Sequence, residues 1–126
     1  MPFSSYPRVL LLVVVACCVC GCQQKAVTMA DPDRAEAALR RVLDAWKAGQ
    51  TPESLKTQAE PVHVSDSEWL GGARLVDYEV TSSQSAGFGW RCDVRLTIQS
   101  PSGATRKHMA LYRIDTDPAI VVVHEE

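Results

Sequence analysis

After Cys22 the chain has a single cysteine, Cys92, and its 126 residues include only three histidines and 6% aromatics. A disulfide framework needs pairs, and a structural zinc site needs four clustered Cys and His ligands, so the body of the chain has material for neither. Charge of one sign is also missing: 13 basic residues face 15 acidic ones, a formal net charge of −2. Nothing here would draw a nucleic acid backbone. A long hydrophobic run is absent as well. The longest is the 12 residues from Val9 to Cys20, whereas a membrane-spanning helix needs about 20. The two glycines around Phe88 in "SAGFGW" have no phosphate-loop pattern about them. With 46% apolar and 22% charged residues the chain has the makeup of one folded domain rather than a disordered segment.

The first segment reads as an address. "MPFSSYPR" brings a basic residue, Arg8, and "VLLLVVVACCVC" follows as an apolar stretch of signal-peptide length. Four of the five cysteines fall in the six positions from Cys17 to Cys22. Three of them lie inside that apolar stretch, where no chain is free to wrap an ion.

The end of the run, Val19-Cys20-Gly21-Cys22, resembles the lipobox of bacterial lipoproteins: an aliphatic residue, two small residues, then the cysteine. The resemblance implies cleavage before Cys22, a thioether-linked diacylglycerol on its sulfur and an acyl chain on the new amino group. Each buried methylene of such chains contributes about 0.8 kcal/mol to anchoring. A second quartet, Val14-Val15-Ala16-Cys17, would leave a cysteine-rich stub. Gly21 directly before Cys22, and the polar "QQKAVT" after it, favour Cys22. In the lipoprotein pattern Asp after the cysteine signals inner-membrane retention; Gln23 stands there instead, which favours the outer membrane.

Residues 22–32 then read as the lipidated cysteine and a short tether, and residues 33–126 as a single domain. In "DPDRAEAALRRVLDAWKAGQ", Asp33 and Glu36 fit a capping box and Pro32 a helix start. Ala35, Ala38, Leu39, Val42, Leu43 and Trp46 form one apolar stripe at helical spacing, closing near Gly49. "TPESLKTQ" predicts a one-turn helix capped by Thr51. "VHVSDSEWLGG" alternates weakly and ends on a Gly-Gly turn. The period then becomes two. Val76, Tyr78 and Val80 oppose Leu75, Asp77 and Glu79, and Trp90, Cys92, Val94, Leu96 and Ile98 oppose Arg91, Asp93, Arg95, Thr97 and Gln99. A third strand reaches about Ile114, and "AIVVVHEE" supplies a last, β-branched one. The fold class is α+β: one long N-terminal helix packed on an antiparallel meander of three to five strands.

That order of elements resembles cystatin-like folds and the related nuclear transport factor 2-like superfamily. "RRVLDAWKAGQTPESL" followed by "WLGGARLVDYEV" is also similar to a group of small bacterial lipoproteins in which a helix ending in Trp-x-x-Gly precedes a Tyr-bearing strand. The likeness covers roughly residues 35–126 and implies a fold, with no catalytic motif. Enzymatic members of the superfamily use a deep cone closed by further helices, and this chain offers one long helix.

Several residues invite chemistry. His63 with Asp66 and Glu68 could be an acid/base pair or half a metal site, although "HVSDSE" reads first as a polar loop with a cap. His108 and His124 lie on consecutive predicted strands and could face each other, but Asp93, which could complete a dyad, sits on the face opposite Cys92. Cys92, among apolar neighbours, is expected to be buried and inert. Charges on the other strand face suit cross-strand pairing. Trp69 and Phe88, in predicted loops, are the candidate contact residues. The sequence calls for no cofactor and no metal. It reads as a non-enzymatic envelope lipoprotein, held to the membrane by Cys22 and engaging a protein partner. The alternative is a small-molecule-binding or hydrolase-like domain with a shallow pocket between helix and sheet, using His63, His108 or Tyr78.

Overall fold

The computed structural model describes residues 31–126. The segment read as a signal peptide, Cys22 and the expected tether before Asp31 lie outside the described residues. The elements run α1 (Pro32–Lys47), α2 (Pro52–Lys56), β1 (Val62–Ser65), α3 (Ser67–Leu70), β2 (Arg74–Ala86), β3 (Gly89–Gln99), β4 (Thr105–Asp115) and β5 (Ile120–Glu125). They form a mixed α+β domain.

Helix α1 has 16 residues, shorter than the long helix the stripe suggests. Its cap also lies two residues before the Asp33–Glu36 box. Asp31 is the N-cap and accepts a hydrogen bond from the Asp33 backbone N–H at 3.0 Å, with Pro32 in the first turn. Glu36 instead accepts from the Ser83 hydroxyl at 2.6 Å. The helix ends because Ala48 caps it and Gly49 turns the chain at φ 80°, a left-handed conformation that costs glycine least. Its whole apolar stripe is buried, Leu39, Val42 and Leu43 completely. Each such side chain contributes about 1.5–3 kcal/mol relative to exposure. Truncating Leu43 to Ala would cost about 2–5 kcal/mol.

The sheet has five strands in the order β1-β5-β4-β3-β2. From β2 to β5 it is the antiparallel meander that the turn residues call for. The expectation of an all-antiparallel sheet fails at one edge, where β1 pairs parallel to β5 from Val62↔Ile120 to Ser65↔Val123. The reason is apolar complementarity. Val62 is fully buried beside Ile120 and Val122, and this pairing brings β1 onto the same core that α1 covers. A second correction concerns β2. Leu75 is 4% exposed and Val76 is 47% exposed, the reverse of the simple alternation. A bulge between Leu75 and Asp77 inserts Val76 as an extra residue, so Leu75 meets Ile98 and Tyr78 still meets Leu96.

Strand β3 behaves as read: Cys92, Val94, Leu96 and Ile98 are fully buried against α1. Tyr112, Ile114 and Val122 fill the same layer from β4 and β5. Helix and sheet share two ends. The start of α1 lies by the β2–β3 hairpin, through Glu36 and Ser83. Its last turn lies by the start of β2, where the Trp46 indole donates to the Ala73 carbonyl at 2.8 Å. The two ends of α1 are about 24 Å apart at 1.5 Å per residue.

Candidate functional site

The most structured polar group sits at the second of these ends. Chain leaving β1 turns at once into α3, and Asp66 is its N-cap, accepting from the backbone N–H groups of Glu68 and Trp69 at 3.0 and 3.3 Å. Asp66 is only 2% exposed. Its other oxygen, Oδ2, accepts the Tyr112 hydroxyl at 2.5 Å. A buried carboxylate is tolerable because three donors replace the water it has lost.

The β4–β5 register puts Tyr112 opposite His124, and the two rings stack with centroids 5.1 Å apart. His124 Nδ1 lies 3.4 Å from Asp66 Oδ1, close enough for a charge contact but off hydrogen-bond geometry, so the nitrogen has no hydrogen-bond partner. His108, two positions before Ala110 on the same face of β4, meets His124 edge-on at 5.9 Å. Burial, with the Asp66 carboxylate next, pushes the Tyr112 phenol well above its ordinary value.

Beside these rings lies an open slot of about 490 Å³. The carboxylates of Glu68, Glu125 and Glu126 and the rings of His108 and His124 line it, with Met109 and Leu111 supplying its apolar part. Glu68 is paired with Arg106 at 2.5 Å, Glu125 with Arg91 at 3.3 Å, and Glu126 accepts from the Ser67 hydroxyl. Such an arrangement can accept hydrogen bonds and cationic groups from whatever enters it. Among the described residues no three His, Cys, Asp or Glu side chains are placed to hold a metal ion.

The other sequence candidates fall elsewhere. Val62 and Val64 of β1 pack on the core, so His63 points away from it. His63 is exposed in a shallow depression of about 210 Å³ with Arg34, Glu60 and Pro118, at the opposite end of the domain. It does not join Asp66 and Glu68. Tyr78 donates to Asp44 of α1 at 2.7 Å, and burial, then Asp44, raises its phenol. Cys92 is fully buried, and burial, then the charges of Glu36 and Asp93, push its thiol up to about 11. Asp93 is on the outer face, accepting from the Ser82 hydroxyl at 2.6 Å.

The two candidate contact residues part company. Phe88 is 68% exposed at the tip of the β2–β3 hairpin. Trp69, expected on an exposed loop, is only 8% exposed. It lies on α3, stacks on Trp46 with centroids 5.7 Å apart, and donates its indole N–H to the Gln50 carbonyl at 3.2 Å. The "WLGG" turn folds back under the end of α1, which turns the indole inward. Trp69 is therefore part of the core and offers no contact surface.

Sequence reasoning missed Asp66 as the partner of His124, and missed Tyr112 altogether. A signal existed for the second. Tyr112 alternates in phase with Ala110 and Ile114, and a tyrosine on a core face needs an acceptor for its hydroxyl. No family model, curated protein or solved structure matches the chain.

Proposed function

We propose that the chain is an exported lipoprotein of the cell envelope, held to the membrane through Cys22, whose domain acts by binding a protein partner rather than by chemistry. What carries this reading is the packing under the helix. Leu39, Leu43, Tyr112, Leu96 and Ile98 fill the space between α1 and the sheet and exclude solvent there. With those side chains packed between the layers, the concavity beside His108 and His124 is an open slot at the end of the sheet rather than a chamber under the helix. The anchor rests on the lipobox-like Val19-Cys20-Gly21-Cys22. With Gln23 after the cysteine, the reading favours the outer membrane.

A cystatin-like arrangement remains the frame for the fold in this reading, supported by the helix-then-meander order; the parallel β1 departs from it. A tether from Cys22 brings the Asp31 end of α1 to the membrane. The slot then faces away from the lipid, at the far end of the helix, where a partner can reach it.

Radiolabelled palmitate incorporation tests the anchor. Label is expected in the wild-type chain and lost in Cys22→Ser. Label that persists in the variant overturns the assignment.

A second reading has its own support. His108 and His124 converge on the slot with Asp66 behind them, the elements of a hydrolase-like or small-molecule site. Turnover of simple esters that disappears in His108→Ala would replace the binding reading with this one.

A further inference from the structure

Four large apolar side chains are exposed among the described residues: Leu70, Val76, Phe88 and Met109. Only Phe88 lies at the Asp31 end of the domain, where the chain comes in from Cys22. Helix α1 runs antiparallel to β2, with Lys47 against Asp77 at 3.4 Å, Asp44 against Tyr78 at 2.7 Å and Glu36 against Ser83 at 2.6 Å. Following that course outward brings the start of the helix and the hairpin tip, Gly87 and Phe88, to one end. The β4–β5 turn joins them there, because Asp115 stands so close to Gly89 that a Cβ on the glycine would come within 2.5 Å of its Oδ1. Phe88 is 68% exposed, and Pro118 and Ala119 of that turn are exposed too.

The tip can leave water without taking a charge along. From Thr81 to Gly89 no residue is charged, and burying a charge is what makes entry into lipid costly. The turn between β3 and β4, Ser100–Ala104, is uncharged as well but has no large apolar side chain. It stands about 35 Å away, the length of the 11-residue β3.

We propose that Phe88 enters the headgroup region of a zwitterionic lipid surface and holds the anchored domain upright on it, with the slot turned away. The inference rests on the lipid-anchor reading and adds a second contact with the same membrane. One aromatic ring is too small to bind a free protein to lipid. On a tethered chain the ring meets the surface at high effective concentration. The nine steps from Cys22 to Asp31 reach at most about 30 Å, so anchoring keeps this end of the domain beside the bilayer. Asp31, Asp33 and Asp117 are exposed at the same end, and Arg34 there is paired with Glu60. Anionic headgroups repel such an end, which selects a zwitterionic surface.

The test uses the mature, lipidated chain in phosphatidylcholine vesicles, with the environment-sensitive dye NBD on Ser85→Cys or, as the control at the far hairpin, on Ser102→Cys. Cys92 is fully buried, so the reagent goes to the introduced thiol. The dye at position 85 is expected to shift to the blue and to be quenched by spin-labelled lipid, and the dye at position 102 to do neither. Adding Phe88→Ser should lower the equilibrium for entry at least about tenfold and remove the quenching, whereas Phe88→Leu should retain it. No quenching at position 85, equal quenching at position 102, or quenching that survives Phe88→Ser overturns the proposal. Stronger quenching when phosphatidylglycerol is added overturns the choice of a zwitterionic surface. Flotation with the vesicles reads the anchor separately. A chain that floats without quenching at position 85 refutes this inference alone, and a chain that does not float refutes the anchor as well.

Discussion

Tyr112 donates its hydroxyl to Asp66 across 2.5 Å, although the two lie 46 positions apart in the chain. The same carboxylate caps α3, so one buried side chain ties a short helix at the edge of the domain to the middle of the sheet. This bond holds α3 over the end of the core. It also fixes the wall of the slot, because Glu68 follows within α3 and His124 stacks on the Tyr112 ring.

Removing that hydroxyl leaves a buried anion short of one donor. Tyr112→Phe keeps the ring and its packing, so its effect isolates the bond. Hydrogen bonds to charged groups contribute about 1.5–3 kcal/mol. For a domain of this size the loss is a fall in Tm of roughly 10 °C. Thermal denaturation followed by circular dichroism reads it directly. An unchanged Tm would mean that water satisfies Asp66 equally well and that the bond does not hold α3.

Trp69 is the residue whose structural place differs most from its sequence reading, and the two make opposite predictions. A contact residue on a loop could be truncated at little cost to stability. A buried indole stacked on Trp46 and bonded to Gln50 cannot, and Trp69→Ala should cost about 3–5 kcal/mol. Urea denaturation measures it. A change within about 0.5 kcal/mol would put Trp69 back on the surface.

At the β2–β3 hairpin the exposed aromatic and the glycine before it carry different weights. Gly87 has φ 60° while Phe88 does not have a positive φ, the combination a two-residue type II′ turn uses. A Cβ on Gly87 would meet nothing within 4 Å, so any cost of Gly87→Ala is backbone strain alone, about 1–2 kcal/mol. Phe88→Ser, at a site 68% exposed, should stay within about 0.5 kcal/mol of wild type. Chemical denaturation of the two variants side by side checks the contrast. A larger loss for Phe88→Ser than for Gly87→Ala would show that the ring packs on something.

What could be read in the sequence was what depends on neighbours in sequence. The α1 stripe and the β3 alternation were legible because each inward position is apolar and the period is unbroken over the element. Strand β2 misled because a bulge changes phase without changing composition: Leu75 and Val76 are equally apolar, and only pairing with β3 decides which turns inward. Strand direction in β1 was hidden for a similar reason, since "VHVS" can pair in either sense and its partner β5 comes more than 50 residues later. Asp66 was legible as a cap and illegible as the Tyr112 acceptor. His108 and His124 were rightly suspected of facing each other, but which face of β4 holds His108 follows from its pairing with Leu96.

Cys92 offers a prediction with a defined sign. Its thiol is fully buried and its pKa is raised from 9.0 to about 11, by burial first and then by the charges of Glu36 and Asp93. The folded state therefore holds the proton more tightly than the unfolded state does. A group with a raised folded pKa contributes stability that is complete below its unfolded value and is lost as pH rises through its folded one. Urea midpoints should be flat from pH 7 to about 8.5 on account of this group and fall between pH 9 and about 11. Above about pH 10 the raised phenols of Tyr112 and Tyr78 add to the fall in the same direction. In Cys92→Ala the plateau should be lower and the decline that begins near pH 9 absent. At pH 7.5 a thiol reagent should label the native chain slowly and the denatured chain at once. Rapid stoichiometric labelling of native protein, or an unchanged alkaline slope in Cys92→Ala, would take Cys92 off the core face and undo the β3 register on which the packing of α1 depends.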